Sequence, residues 1–308
     1  MSTIRKFLKK FVNNPFYVFF CISERANLNW IPDELFLKLL YRSNLGKKAD
    51  LKNPKSFNEK LQWLKLYDRK DIYTTMVDKY AAKQYVTEIL GEEYIIPTLG
   101  VWDRFEDIDF DRLPNQFVLK CTHDSGGLCI CRDKRELNKE QAKRKLEHSL
   151  ATSYYWSARE WPYKNVEPRI ICEKYMENPG INGLRDYKFY CFHGKVQYLY
   201  VSEGMEDHTT AKISFATPDW QLAPFGRSDY AQYDALPPKP ERLEEMIAIA
   251  ERVSKDIPFL RVDLYEIDGK IYFSEFTFSP CAGFMPFSDD IWDLKLGALI
   301  ELPGIPQT

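Results

Sequence analysis

Arg261, Asp263, Glu275 and Thr277 have the residue types and spacing to hold a cation against a phosphate. They lie in the stretch LRVDLYEIDGKIYFSEFTFSPCAGFMPF, residues 260–287. Two runs of strand-forming residues, Phe259–Ile267 and Lys270–Phe278, flank Asp268-Gly269, a pair suited to the φ > 0 positions of a tight hairpin. Period-2 alternation puts Arg261 with Asp263 on one face of the first run, and Glu275 with Thr277 on one face of the second. Paired strands bring the two carboxylates together, where they repel unless a cation lies between them. Hard oxygen donors suit Mg²⁺, which takes one or two carboxylates together with substrate phosphates. The plain alternative, a surface hairpin whose charges face water, stays open on these residues alone.

The elements that must position this hairpin belong to an ordinary globular chain. Its 308 residues are 44% hydrophobic and 29% charged, enough for one large or two medium domains and unlike a disordered protein. A net charge of −2 gives no bulk argument for nucleic acid as a partner. Seven cysteines without a C-x-x-C pair read as reduced and mostly buried, and so as a cytoplasmic protein. His123, His148, His193 and His208 are scattered, which argues against a histidine zinc site. Residues 4–22 join Arg5, Lys6, Lys9 and Lys10 to Phe7, Phe11, Phe16, Phe19 and Phe20. Such a segment either docks on its own domain or lies on an anionic membrane surface, and it is too short to span a bilayer.

In chain order, the pattern predicts a helix over 30–48 with Leu35, Leu39 and Leu40 as its apolar positions and Gly46 as its stop. Ser56 and Glu59 form a capping-box pattern opening a helix striped by Phe57, Leu61 and Leu64. A helix over 76–90 carries Asp78 and Lys79 in its first turns; a short strand near 94–96 and an acidic connector over 102–113 follow. Asp107, Asp109 and Asp111 give two overlapping D-x-D triplets there, a pattern that chance supplies freely. Strands over 116–122 and 128–132 enclose His123-Asp124-Ser125-Gly126-Gly127, a flap whose backbone N–H groups can approach phosphates, with Lys120 on the strand entering it. A long helix over 138–159, a strand over 169–176 and a hairpin of 186–192 with 195–202 come next, Asp186, Lys188 and Tyr190 sharing a face. A lysine among aromatics needs an anionic partner, either a phosphate or Asp186 itself. Helices over 240–254 and 289–299 bracket the opening stretch.

Taken in order, Asp78-Lys79, Val118-Leu119-Lys120 with its glycine loop, Glu173-Lys174-Tyr175-Met176, Asp186-Tyr187-Lys188, Arg261-Val262-Asp263 and Glu275-Phe276-Thr277 resemble the ATP-grasp superfamily. The segment NPKSFNEKLQWLKLYDR, from residue 53, resembles its TupA-like (teichuronopeptide-biosynthesis) branch, and the likeness covers about residues 50–290. The resemblance implies an α+β ATP-grasp fold behind an N-terminal helical, pre-ATP-grasp region: a helical segment 1–50, a pre-ATP-grasp region 51–115, a small subdomain 116–176 and a large subdomain 177–308 with the metal site. It implies ATP and Mg²⁺ as cofactors. Lys79 and Lys120 resemble the lysines on the α- and β-phosphates, Ser125, Gly126 and Gly127 the closing flap, and Glu173, Lys174, Tyr175 and Met176 the adenine-reading hinge. Lys188 resembles the basic residue that meets the transferred phosphate. Arg261 is expected to bind a reacting carboxylate or acyl phosphate, and Asp263, Glu275 and Thr277 to hold the metal. Thr277 departs from the asparagine many members have there, which leaves the third metal ligand open.

The function so implied is an ATP-dependent carboxylate–amine ligase in surface-polysaccharide assembly. It would join an amino acid or peptide to a uronic-acid-bearing, free or lipid-linked glycan. A phosphotransferase on the same fold, a glycosyltransferase using a D-x-D metal, and a non-catalytic scaffold remain as alternatives.

Overall fold

The computed structural model describes residues 15–23, 27–178, 180, 183–203 and 211–304. The basic residues expected in the N-terminal segment, Arg5, Lys6, Lys9 and Lys10, lie outside these. The described part of that segment, helix α1 (Tyr17–Ser23), sets Phe19 edge-on to Phe36 at 5.6 Å. Phe36 belongs to α2 (Asp33–Leu45), which ends on Gly46 at φ 69, with the Gly46 N–H donating to the Arg42 carbonyl. The face α2 buries is Phe36, Leu37, Leu40 and Tyr41, one step round from the expected stripe, and Leu35 is exposed.

Helix α3 (Phe57–Tyr67) opens with the expected capping box: Ser56 Oγ accepts from the Glu59 N–H at 3.2 Å, and Glu59 Oε2 accepts from the Ser56 N–H at 3.1 Å. The single helix expected over 76–90 is two, α4 (Asp71–Val77) and α5 (Ala81–Leu90). The Asp78 carboxylate makes the break, accepting from the N–H groups of Tyr80 and Ala81 at 2.8 and 3.3 Å as an aspartate does before a helix start. The strand expected near 94–96 is reduced to a single parallel bridge from Ile95 to Phe273, after a 3-10 turn over Glu92–Tyr94, and β1 comes later, at Thr98–Trp102.

Strands β2 (Phe117–Cys121) and β3 (Leu128–Cys131) form the flap hairpin. Helix α6 (Lys139–Leu150) starts on Asn138, whose Oδ1 accepts from the Gln141 N–H at 2.9 Å, and stops well short of residue 159; a separate turn of helix, α7 (Tyr155–Ala158), follows. With β4 (Ile170–Lys174) the first sheet is complete, four antiparallel strands in the order β1-β4-β2-β3. The expected polar connector packs beneath it. Phe105, Ile108, Phe110 and Leu113 are buried with Ala142 and Leu146 of α6.

The second sheet takes β5 (Asp186–Phe192), β6 (Lys195–Glu203), β7 (Lys212–Ala216), β8 (Phe259–Ile267) and β9 (Lys270–Thr277), in the order β7-β6-β5-β8-β9 and antiparallel throughout. Asp268 (φ 50) and Gly269 (φ 69) make the expected turn, both in the left-handed region. One face is covered by α8 (Leu243–Val253) and α5, burying Tyr187, Phe189, Leu260, Val262 and Leu264. The other changes character along the strands. At one end Tyr190, Phe192, Tyr200, Phe215 and Phe259 pack under Phe57 and Leu61 of α3. At the other end the same alternation delivers Asp186, Lys188, Asp263 and Glu275. Helix α9 (Ile291–Ala298) packs against α3, where the Asn58 N–H donates to Asp293 Oδ1 at 2.9 Å; the Asn58 side chain also donates to the Met285 carbonyl at 3.0 Å and accepts from its N–H at 2.8 Å.

Phe57 is fully buried, its ring edge-on to Phe259 at 4.9 Å. Truncating it leaves a cavity that rigid strands cannot close. Phe57→Ala is expected to cost about 3–5 kcal/mol, read as a lower urea midpoint with an unchanged slope. A wild-type midpoint would mean that α3 is not docked on the sheet as described.

Candidate active site

Strand register assembles the site. Lys188 stands opposite Asp263 across β5 and β8, and Asp263 stands opposite Glu275 across β8 and β9. Three charged side chains therefore form a row on one face, with Arg261 and Thr277 as the next pair along. The expected closeness of Asp263 and Glu275 follows from this register.

A cation does lie between the two acids, and it is the Arg261 guanidinium. Its Nε and Nη2 donate to the two Asp263 oxygens at 2.7 Å each, and Nη2 also reaches Glu275 Oε1 at 3.0 Å. Lys188 Nζ donates to Asp263 Oδ2 at 2.6 Å and to Asp186 Oδ1 at 3.1 Å, so Asp186 is one of two carboxylate partners of this lysine. Asp263 has no exposed surface. Burial alone would raise its pKa, but Arg261 and Lys188 outweigh it and hold the carboxyl below its ordinary value. Burial likewise opposes the charge on Lys188, and Asp186 with Asp263 keeps it protonated well above the ordinary range.

The donor set fits a divalent cation. Three bonds use three of the roughly four lone-pair sites of the Asp263 carboxylate, leaving one. The Glu275 side chain is 38% exposed, and the Thr277 hydroxyl lies on the same face. Among the described residues no three His, Cys, Asp or Glu side chains gather as a self-sufficient metal cluster. Two acids that need phosphates to complete the shell are the arrangement Mg²⁺ accepts.

The first sheet supplies Lys120, and the α4–α5 segment supplies Lys79 and Lys83. Lys120 Nζ meets Glu173 Oε2 at 2.6 Å, and Lys83 Nζ meets Glu173 Oε1 at 2.5 Å. Burial pushes the Glu173 carboxyl up, but the two lysines pull it down to about 2. Lys79 is set by the break between α4 and α5: its N–H donates to the Thr122 carbonyl at the end of β2, and its Nζ to the Asp124 carbonyl. Burial lowers the Lys79 pKa, with the Glu275 charge the leading counterweight, and Glu275 also acts on Lys120. Tyr265 feels Asp186, Lys120 and Lys188 together. Lys120 of the first sheet and Lys79 of the α4–α5 turn thus both feel Glu275 of the second sheet.

Of the remaining expected positions, Ser125 and Gly126 are exposed at the tip of the flap and Gly127 is buried. Gly127 donates to the Asp124 carboxylate, and a Cβ there would meet Cys121 Sγ at 2.7 Å and Ser149 Oγ at 2.5 Å, so only glycine fits. Glu173 is occupied by its two lysines. Lys174 is exposed at the end of β4, and Tyr175 and Met176 are half-buried beyond it.

Several site residues escape sequence reasoning. Lys83 is one, a turn beyond Lys79 on α5. Gln62 and Lys65 of α3 are others: Gln62 Nε2 donates to the Gly283 carbonyl at 2.7 Å, and Lys65 Nζ to the carbonyls of Ala282 at 2.6 Å and Ala158 at 3.1 Å. They fasten the loop after β9, where Cys281 and Ala282 both hold φ 52, a conformation costly for residues with a Cβ. The available signal was Lys65 falling on the Phe57–Leu61 stripe. Asp107 and Asp109 pair with Arg104 and Arg112, at 2.9 and 3.2 Å, in the connector.

A family model described as TupA-like ATPgrasp matches residues 59–301. None of the curated proteins matches the chain. Similar solved structures include the D-alanine–D-alanine ligase from Bacillus anthracis complexed with ATP, 17% identical with a TM-score of 0.39, over 66% of this chain and 55% of that one. The D-alanine–D-alanine ligase from Helicobacter pylori is 15% identical with a TM-score of 0.42, over 81% and 70%. The D-cycloserine synthetase DcsG is 15% identical with a TM-score of 0.41, over 74% and 70%. This chain spans little more than half of the Bacillus anthracis enzyme.

Glu173 carries a pH signature. A carboxyl held at about 2 against an ordinary 4.5 adds stability that is complete above pH 4.5 and lost as the pH falls toward 2. Glu173→Gln is therefore expected to cost on the order of 3 kcal/mol at pH 7 and almost nothing near pH 2, measured by urea unfolding across that range. An equal loss at both ends would count against the charge pairing.

Proposed function

This chain belongs to the TupA-like ATP-grasp family and has its ATP-grasp fold, and from that premise we propose that it is an ATP-dependent carboxylate–amine ligase. The observation that carries the reading is the opposition of Lys79 and Lys120 to the Arg261–Asp263–Glu275–Lys188 row.

A carboxylate is a poor electrophile because it would have to expel an oxide. Phosphorylating it creates an acyl phosphate with a good leaving group, and phosphoryl transfer asks a protein chiefly for positioning and neutralised charge. Lys79 and Lys120 hold the α- and β-phosphates, Lys120 exchanging Glu173 for phosphate oxygen. Lys188 and Arg261 receive the γ-phosphoryl group and the substrate carboxylate, Arg261 through the fork it now presents to Asp263. Asp263, Glu275 and Thr277 would hold Mg²⁺, which neutralises phosphate charge when bound. The flap of Ser125, Gly126 and Gly127 closes over the phosphates and excludes water. The hinge at Glu173, Lys174, Tyr175 and Met176 lies beside the adenine.

The family's branch suggests the substrates: a uronic acid of a surface glycan, free or lipid-linked, as the carboxylate, and an amino acid or peptide as the amine. Dependence on ATP suits a cytoplasmic enzyme. No helix among the described residues is long and apolar enough to cross a membrane.

The test is ATP turnover with glucuronic or galacturonic acid in the presence of hydroxylamine. Trapping a hydroxamate establishes the acyl phosphate, whereas ADP release with a stable phosphorylated sugar favours a phosphotransferase. Lys120→Ala and Glu275→Ala are each expected to lower hydroxamate formation by about two to three orders of magnitude, and Asp109→Ala to leave it alone. Loss at Asp109 with activity intact at Glu275 would sink the ligase reading.

A further inference from the structure

Glu160 is buried at 4% exposure, yet no hydrogen bond or ion pair from the described residues reaches its carboxylate. A largely buried carboxylate that no protein cation touches is costly, and a ligand cation that reached it would lower that cost.

Its position is tightly fixed. Arg159, the residue before, sits in the left-handed region at φ 54 with its Nε 3.1 Å from Asp33. Ala158, one residue earlier, gives its carbonyl to Lys65 Nζ, which also holds Ala282 in the loop after β9. On its far side the Tyr163 ring packs edge-on against Tyr154 at 4.8 Å, and the Tyr154 hydroxyl meets Ser125 of the flap at 3.3 Å. The segment is thereby pinned between the flap and the Cys281–Gly283 loop, beside the charged row. Lys65 and Arg261 are the cations acting on Glu160, and Glu160 in turn acts on Tyr154, Tyr163 and Cys281.

We propose that Glu160 is the specificity-determining residue for the second substrate, receiving the ammonium group of a primary amine and holding it beside the carboxylate bound at Arg261. This rests on the ligase reading and names the class of its amine: a cationic, unhindered primary amine such as the α-amino group of an amino acid. Burial pushes the Glu160 carboxyl up to about 7, against the pull of Lys65 and Arg261, and a ligand ammonium would favour its charged form further. In the second half-reaction the nitrogen sheds its ammonium proton to solvent and attacks the acyl carbon. The C–N bond forms, the C–O bond to phosphate breaks with its electron pair on the leaving phosphate, and the second nitrogen proton leaves with the phosphate.

Hydroxylamine, neutral at pH 7, has no need of the carboxylate, so competition between it and the twenty amino acids isolates the effect. With ATP and glucuronic or galacturonic acid, the ratio of amide to hydroxamate is expected to fall about 100-fold in Glu160→Gln, through the KM for the amine. In Glu160→Asp, which keeps the charge but shortens its reach, it is expected to fall about tenfold; this variant carries the test should the glutamine variant fail to fold. An unchanged ratio in a folded variant overturns the proposal, as does loss of both products from a variant that melts like wild type. A wild type that makes hydroxamate but accepts no amino acid overturns it as well. No hydroxamate from wild type defeats the ligase reading itself, and this inference with it.

Discussion

Everything at the charged end of the second sheet depends on satisfying Asp263. A carboxylate with no exposed surface must be paired, or it gives up its charge. It is paired twice, by the Arg261 fork from its own strand and by Lys188 from the next. Those bonds fix the rotamers of the two cations proposed to meet the transferred phosphoryl group. Removing the acid would leave a buried arginine and a buried lysine side by side. Structural necessity and proposed chemistry therefore fall on the same three side chains, and Glu173 of the other sheet does similar work for Lys120 beside it and for Lys83 of α5.

One face of the second sheet serves two ends. Where Tyr190, Phe192 and Phe259 meet Phe57, it is a dry aromatic core; a few residues along, the same alternation presents Lys188, Asp263 and Glu275. The core at one end holds the strands in register, and register is what aligns the charged row. A one-residue slip of β9 would turn Glu275 to the opposite face and put Phe276 among the charges.

How much was legible in advance depended on whether the signal was local. The hairpin of β8 and β9 was readable because Asp268-Gly269 fixes the turn and alternation assigns the faces near the site, although a bulge at Ser274 shifts the register by one residue. The capping box at Ser56 and Glu59 was readable for the same reason. The break at Asp78 was not, since an aspartate near a helix start reads equally well as a first-turn residue, and only its bonds to Tyr80 and Ala81 decide. The connector over 102–113 misled through its acids; its phenylalanines and leucine are what the sheet covers. That Arg261 itself bridges the two acids could not be read, because spacing assigns a face and not a bonding partner. Lys65 and the Ala158 carbonyl it bonds come from segments far apart in sequence, and pattern gives no access to a meeting of that kind.

Helix α3 leaves the ribosome long before the surfaces it needs exist. Phe57 and Leu61 pack on strands made much later, and Asn58 bonds to Met285, more than two hundred positions downstream. Until the C-terminal segment emerges, this greasy stripe stays bare in a nascent chain, where it is open to chaperone capture or clumping with its neighbours. Truncation by even the last few dozen residues would thus strand the beginning of the protein, not merely shorten its end.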